Sequence, residues 1–465
     1  MIMKIKTILL LLATFICASL QAQKSIPIPD AKKFLPGPPE ETSVEYLKDY
    51  SQYVWGKSQR TSADWQQQAS GDMNYQLSTF INAFSPLVGL TISKSNTPNI
   101  HLVLEYIMTW GQNTIDTTKN AYTFSLRPYA KFKENSLVPI YESEYAEIST
   151  YPSSYAFMGW LMALTLIEIC PDKQDPILAR GYNFGTSSII AGYNWDSDAI
   201  SGRLLACAMT AILHNHSNFS NMIKAARQEY EKKTGISNTI ITTDPNAAFF
   251  PIDYIPDAAK YLPDPPVIGT VPFAYDVNQH ITNSKKRSTN EGKSAIEDIE
   301  LSIERMCTIY SPAFGKSISP TATPHIYKLI NRTFLTGKPA YSLAKAKYVR
   351  LRPFYLLNEH TAYIPGEDQT NFEQFVSTSY PSGHSSQAWL IAMLLAEINS
   401  SNAEAVLARG YKYGQSRVIT GYHWQSDVES GRLLASAIYA HLHASDEFMK
   451  MMDLAKEEFD RTAGK

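Results

Sequence analysis

The sequence predicts an all-α protein built as two tandem helical bundles, and three observations carry that prediction. Apolar residues recur at helical spacing through Ser385 to Ile398, Ala403 to Ile419 and Ser426 to His443. Alternation of the strand kind is scarce along the whole chain. Each of the three helical runs has a counterpart 229 residues earlier, so whatever the second half builds, the first half builds again.

Taken in order, the chain opens with the three parts of a secretory signal. Lys4 and Lys6 give the charged start, Ile8 to Ala18 the apolar stretch, and Leu20-Gln21-Ala22 the cleavage end after residue 22. That apolar run is short for a bilayer span, and no later run approaches such a length. Hydrophobic residues at 44%, with 12% aromatic and 18% charged, describe a globular chain rather than a disordered one. The formal net charge of −2 becomes −4 once Lys4 and Lys6 leave with the signal. Such a balance offers no basic face, which excludes nucleic acid as a partner. The expectation is a periplasmic or secreted protein with no integral membrane segment after signal removal; whether it forms a homo-oligomer stays open.

The repeat fixes the layout. Ile28-Pro29-Asp30-Ala31 matches Ile255-Pro256-Asp257-Ala258 at an offset of 227, and Arg127-Pro128 matches Arg352-Pro353 at 225. From Pro152-Ser153 onward the offset holds at 229, as in Ala179-Arg180-Gly181-Tyr182 against Ala408-Arg409-Gly410-Tyr411. Units of this length are domains rather than solenoid turns. The expected boundaries are a signal over 1–22, a first domain over 23–245 and a second over 246–465. The junction falls between Thr234 and Pro251, where Gly, Ser, Asn and Pro accumulate. Short polar joints such as Asn399 to Asn402 separate the helices.

The second half carries the chemistry. Six residues separate Lys345 from Arg352-Pro353; 27 more lead to Pro381-Ser382-Gly383-His384; another 31 lead to Ser416-Arg417, then five to His423 and three to Asp427. Cationic donors can hold a multiply charged oxyanion, one imidazole can attack it, the other can move a proton, and a carboxylate can orient the attacker. Phosphate is the natural oxyanion. Individually the pieces are ambiguous. Pro381-Ser382-Gly383-His384 reads as an anion-binding helix start or equally as an ordinary capped helix. A His and an Asp four apart, with Ser426 as a helix start, share one face of a helix end, yet such a pair is usually a surface contact. Lys345 and Arg352 would share a face if their segment is helical, but with Lys347 and Arg350 between them they read as a solvated basic face.

Together the pattern KxxxxxxRP, PSGH and SRxxxxxHxxxD resembles the signature of the phosphatidic acid phosphatase type 2 superfamily. The local wording KYVRLRPF, SYPSGH and SRVITGYHWQSDV is similar to that of the soluble class A non-specific acid phosphatases, over roughly residues 250–465. The resemblance implies an all-α bundle and a phosphomonoesterase without a cofactor, acting on small phosphate esters. It also implies roles: His423 attacks phosphorus to give a phosphohistidine, His384 protonates the leaving alcohol and later activates water, and Asp427 orients His423. Lys345, Arg352, Arg417, Ser382 and Gly383 hold the phosphoryl oxygens. Alternatives are a vanadium haloperoxidase, which shares this signature, a phosphatase for lipid or diphosphate substrates, and a binding role for the first copy.

Against the same template the first copy keeps Arg127, Pro128, Pro152, Ser153, Ser187 and Asp198. It has Asn120 at the lysine position with Lys119 beside it, Ser154 for Gly383, Tyr155 for His384, Ser188 for Arg417 and Asn194 for His423. The expectation is a catalytically silent copy. No HExxH or CxxC pattern suggests a metal, and His214 and His216 at a helix end read as a surface pair. Cys170 and Cys207, both absent from the second copy, read as a disulfide or as two separately buried small hydrophobes.

Overall fold

The computed structural model describes residues 28–236, 244–359 and 377–462; the expected signal at 1–22 lies outside them. The first half contains α1 (Val44–Gln59), α2 (Ala63–Asp72), α3 (Leu77–Val88), α4 (Pro98–Asn120), α5 (Pro128–Phe132), α6 (Glu142–Tyr145), α7 (Ser154–Ile169), α8 (Gln174–Ala191), α9 (Asp196–Leu213) and α10 (Ser217–Thr234). The second half contains α11 (Val271–Ser284), α12 (Asn290–Glu297), α13 (Ile303–Phe314), α14 (Pro324–Lys347), α15 (Pro353–Leu356), α16 (Gly383–Ile398), α17 (Ala403–Ile419), α18 (Gln425–Leu442) and α19 (Asp446–Thr462). Among the described residues the one β pairing is an isolated bridge between Arg350 and Thr378. The all-α expectation holds, and the three helical runs read from the sequence are α16, α17 and α18 to within two residues.

Local chemistry explains the ends. Ser153 and Ser382 cap α7 and α16, their hydroxyls accepting from the amides of Ala156 at 3.2 Å and Ser385 at 3.3 Å. Proline opens both long helices, at Pro98 and Pro324, where a missing N–H costs nothing. The carboxylates of Glu229 and Glu458 accept from the amides of Ile100 and Ile326, each at 3.0 Å, which ties α10 to the start of α4 and α19 to the start of α14.

Nearly every residue of α7 and of α16 is buried, and both are apolar on all sides, so they form the centre. Helices α8 and α9 pack on α7, and α17 and α18 on α16. The halves do not stand apart. Helix α7 also touches α18, α9 also touches α16, and one continuous apolar core takes residues from both halves. Contacts across the junction are reciprocal: the Asp30 amide donates to Glu404 at 2.8 Å and the Asp257 amide to Asp175 at 3.0 Å. Phe34 lies against Trp389 with ring centroids 6.4 Å apart, and Tyr261 against Trp160 at 6.2 Å.

Two expectations need correction. His214 is not on the surface: it is buried and stacks on His443 with centroids 3.8 Å apart, because its neighbours come from the other half of the chain. His214 also meets Glu168 at 3.0 Å, and burial pushes Glu168 up to about 8 and His214 down to about 4, favouring the neutral form of each. His214, Glu397 and His443 have the residue types of a metal site, which sequence spacing did not suggest, but Glu397 already accepts from Lys456 at 2.8 Å and faces His443 at 3.0 Å. Cys170 and Cys207 form no disulfide. Both are free and buried in the core with Cys307, and Cys170 Sγ donates to the Leu166 carbonyl. The apolar surroundings push the Cys207 and Cys307 thiols up to about 12.

Candidate active site

The expected site residues converge, although by a different route for some of them. Helix α14 ends at Lys347, so Lys345 and Arg352 do not share a helix; Arg352 is the N-cap of α15. The Thr378 carbonyl brings them together, accepting from Lys345 Nζ and from Arg352 at 3.3 Å. Helix α17 delivers Arg417 from its last turn. The preceding Ser416 donates to Asp298 at 2.7 Å, and Asp298 also pairs with Arg409 of the same helix, which fixes its rotation. After α17 the chain turns through Gly421, whose φ of +83° favours glycine, and the amide of His423 returns to the Arg417 carbonyl at 3.2 Å. That return brings His423 back against the end of the helix that carries Arg417.

His423 precedes α18 instead of lying on it. Trp424 is the N-cap, and Asp427 in the first turn accepts from the Trp424 amide at 2.8 Å. The Asp427 Oδ2 lies 3.4 Å from Nδ1 of His423, while Nε2 accepts from Arg352 at 3.1 Å. Those two contacts select one tautomer, with the proton on Nδ1 and the lone pair on Nε2. His384 has the opposite arrangement: its Nε2 donates to the Ile299 carbonyl at 2.8 Å, so Nδ1 carries the lone pair. Ser382 is fully buried and its amide donates to the Asp427 carbonyl at 2.9 Å, which docks the start of α16 on the start of α18. A Cβ on Gly383 would come within 3.0 Å of the Tyr341 ring, so a side chain there would crowd the entrance of the helix.

The electrostatics follow from burying cations together. Burial, then the neighbouring Arg352, holds Lys345 well below the usual ammonium range. Burial and the charge of Arg417 do the same to His384, and burial and Arg352 to His423. Burial alone would raise Asp427, but Arg350 above all, then His423 and Ser379, hold it below the usual carboxylate range. The arrangement gathers buried cationic side chains around two imidazoles, with a fixed carboxylate behind one of them.

Three participants were missed in the sequence. Arg350, expected on a solvated face, is buried: its fork donates to Asp427 Oδ1 at 2.5 Å and to Asp276 Oδ2 at 2.6 Å. Ser379 donates to Asp427 Oδ2 at 2.6 Å. Asp276 comes from α11, far away in sequence, and also accepts from the Ser426 amide at 2.9 Å. The one available signal was position: Arg350 stands two residues before Arg352 in KYVRLRPF.

The model of the PAP2 superfamily matches residues 326–448, which span Lys345 to Asp427. The non-specific acid phosphatase of Providencia stuartii is 38% identical over 220 residues, covering 47% of this chain and 87% of that protein. The chain belongs to the PAP2 superfamily. It is an acid phosphatase. The non-specific acid phosphatase of Salmonella typhimurium is 36% identical over 43% of this chain and 79% of its own length, and the acid phosphatase of Zymomonas mobilis 30% identical over 44% and 76%. Among its described residues the phosphatase has no helix long and apolar enough to cross a membrane.

The corresponding region of the first half differs in composition and in one register. Lys119 Nζ donates to the carbonyls of Ser149 at 2.7 Å and Pro152 at 2.6 Å, and Ser149 corresponds to Thr378. Lys119, not Asn120, therefore stands in the position of Lys345; the offset in α4 is still 226, and the gap falls after the lysine. Burial, then Arg127, lowers this lysine to about 7. Arg127 donates to the Tyr193 carbonyl at 2.9 Å, as Arg352 does to Tyr422 at 2.7 Å. The rings of Tyr145 and Tyr193 lie 5.0 and 5.8 Å from the Arg127 guanidinium, and Tyr129, Tyr155 and Met73 pack with Tyr193.

Proposed function

We propose that the phosphatase is a secreted or periplasmic phosphomonoesterase that needs no metal, works through a phosphohistidine on His423, and carries a degenerate copy of its catalytic unit as its first half. The geometry of His423 supports the mechanism best: a lone pair on Nε2 faces Arg352, and the carboxylate of Asp427 stands behind Nδ1. When a phosphate ester enters, Arg352 exchanges Nε2 for a phosphoryl oxygen, and Lys345 and Arg417 share the charge spread over the others. The negative charge of the bound ester raises His384, whose Nδ1 takes up a proton, and Nε2 of His423 then forms a bond to phosphorus as the ester oxygen leaves with that proton. His384, now neutral, takes a proton from water, which attacks phosphorus and releases His423. Asp427 stabilises the positive imidazole in both steps.

The reciprocal contacts between the halves support the reading of a duplication over 23–245 and 246–465, since equivalent residues exchange partners as they do across a two-fold axis. The tyrosines around Arg127 and the absence of an imidazole at Asn194 support silence of the first copy. Hydrolysis of p-nitrophenyl phosphate in the presence of a chelator tests the proposal: it should persist in the wild type and vanish in His423→Ala, while Asn194→Ala leaves it unchanged. Vanadate, which resembles the transition state, should bind once per chain. Loss of activity with chelator, or two tight vanadate sites, would refute it.

A further inference from the structure

The catalytic half buries an arginine between two carboxylates, and the first half keeps the carboxylates without the arginine. In the second half Arg350 joins Asp427 to Asp276, and its guanidinium lies 5.6 Å from the Trp424 ring. The register of the two halves here is set by backbone contacts. The carbonyl of Ser125 accepts from the Thr150 amide at 3.0 Å, as that of Arg350 does from Ser379 at 3.0 Å. Trp195 Nε1 donates to the Leu126 carbonyl at 2.8 Å, as Trp424 Nε1 does to Leu351 at 2.8 Å. Ser125 therefore stands where Arg350 does.

The hydroxyl and backbone amide donors to both carboxylates are retained. Asp198 Oδ2 accepts from Thr150 Oγ1 at 2.7 Å and from the Trp195 amide at 2.8 Å, matching Asp427 Oδ2 with Ser379 and Trp424. Asp49 accepts from the Ser197 amide at 2.7 Å and from Ser197 Oγ at 2.6 Å, matching Asp276 with Ser426. The difference is at Asp198 Oδ1. It is buried, in a residue 1% exposed, and has no hydrogen-bond partner, whereas its counterpart on Asp427 is held by Arg350. A cavity of about 580 Å³ opens at this place, lined by Ser125, Asp49, Asp198, Ser197 and Trp195 among others.

We propose that this cavity is a binding site for a small guanidinium compound, whose fork bridges Asp198 and Asp49 as Arg350 bridges Asp427 and Asp276. Two carboxylates addressed from one direction suit a planar fork with parallel N–H bonds better than a point-like ammonium. The ring of Trp195 supplies the face that Trp424 gives Arg350. Burial raises both Asp49 and Asp198 above the usual carboxylate range. Half-exposed Phe124 and Leu126 line the mouth and suit an apolar stem. Lys32 and Lys131 line the cavity together with Glu40 and Glu41, and Lys131 is paired with Glu41.

Calorimetry on the full-length protein tests this with butylguanidinium as the probe and butylammonium as the control. One butylguanidinium should bind per chain, with butylammonium at least tenfold weaker. Ser125→Arg puts the missing side chain back: it should abolish binding, raise Tm and leave hydrolysis of p-nitrophenyl phosphate unchanged. Asp198→Asn should weaken binding at least tenfold without restoring an arginine. Failure of the wild type to bind butylguanidinium, or binding that survives Ser125→Arg, would overturn the proposal.

Discussion

Replacing Arg350 by methionine keeps most of the side-chain volume and removes the charge that stands between Asp276 and Asp427. Both carboxylates are fully buried, and the guanidinium side chain is only 8% exposed, so solvent cannot replace it. Breaking a buried pair by deleting one partner costs about 3–5 kcal/mol, because the remaining charge is left without compensation. Two carboxylates are orphaned here, which sets the expectation at the upper end of that range near pH 7. The sign with pH follows from Asp427, which Arg350 holds below its unfolded value. Stability from such a group is present above the unfolded carboxylate pKa of about 4 and is lost as pH falls towards the folded value. The variant lacks that contribution, and its carboxylates can take up protons as the pH falls. The deficit should therefore be largest at neutral pH and shrink towards pH 4. Thermal unfolding of wild type and variant at several pH values measures it. Turnover should fall as well, since Asp427 loses the partner that fixes it behind His423. Equal Tm differences at pH 4 and pH 7, or a variant as stable and active as the wild type, would refute the reasoning.

His384→Ala should release about one nitrophenol per active site in a burst and then nearly stop, because nitrophenolate leaves without an acid while hydrolysis of the phosphohistidine still needs a base to activate water; slow linear turnover with no acid-labile label on His423 would contradict the assigned roles. Sulfate, a dianion throughout the range, should bind with proton uptake, since its charge raises His384, His423 and Lys345 from their lowered values. Its affinity should accordingly rise as pH falls from about 8 to about 5 around the ordinary histidine value, and calorimetry in buffers of different ionisation enthalpy reads the proton number, zero being the adverse result. Cys170, Cys207 and Cys307 should resist thiol reagents in the native protein and all react after unfolding without reductant; fewer than three reactive thiols would mean a covalent pair.

What could be read in the sequence was whatever depends on spacing within one segment. Helices α16, α17 and α18 follow from apolar periodicity, and His423 with Asp427 from their interval of four. Contacts between distant segments were not legible. Arg350 looked solvated because Asp276, 74 residues away, is what buries it. His214 looked superficial because His443 covers it from the other half. Lys119 was set aside for Asn120 because a one-residue shift in register leaves no trace in composition, whereas the carbonyls of Ser149 and Pro152 identify the lysine at once. The unfilled valence of Asp198 was equally invisible, since a missing arginine is not a motif.

The reciprocal packing of the two halves has a consequence for how the phosphatase behaves outside a concentrated environment. Between separate chains, contacts such as Asp30 with Glu404 and Asp257 with Asp175 would form an encounter that weakens on dilution. Joined in one polypeptide, each half meets the other at an effective concentration of order millimolar, set by chain geometry and not by how much protein is present. Each half keeps its partner surface at any protein concentration, so the specific activity should not change on dilution. The covalent link also fixes the stoichiometry: every hydrolytic site travels with one copy of the first-half cavity.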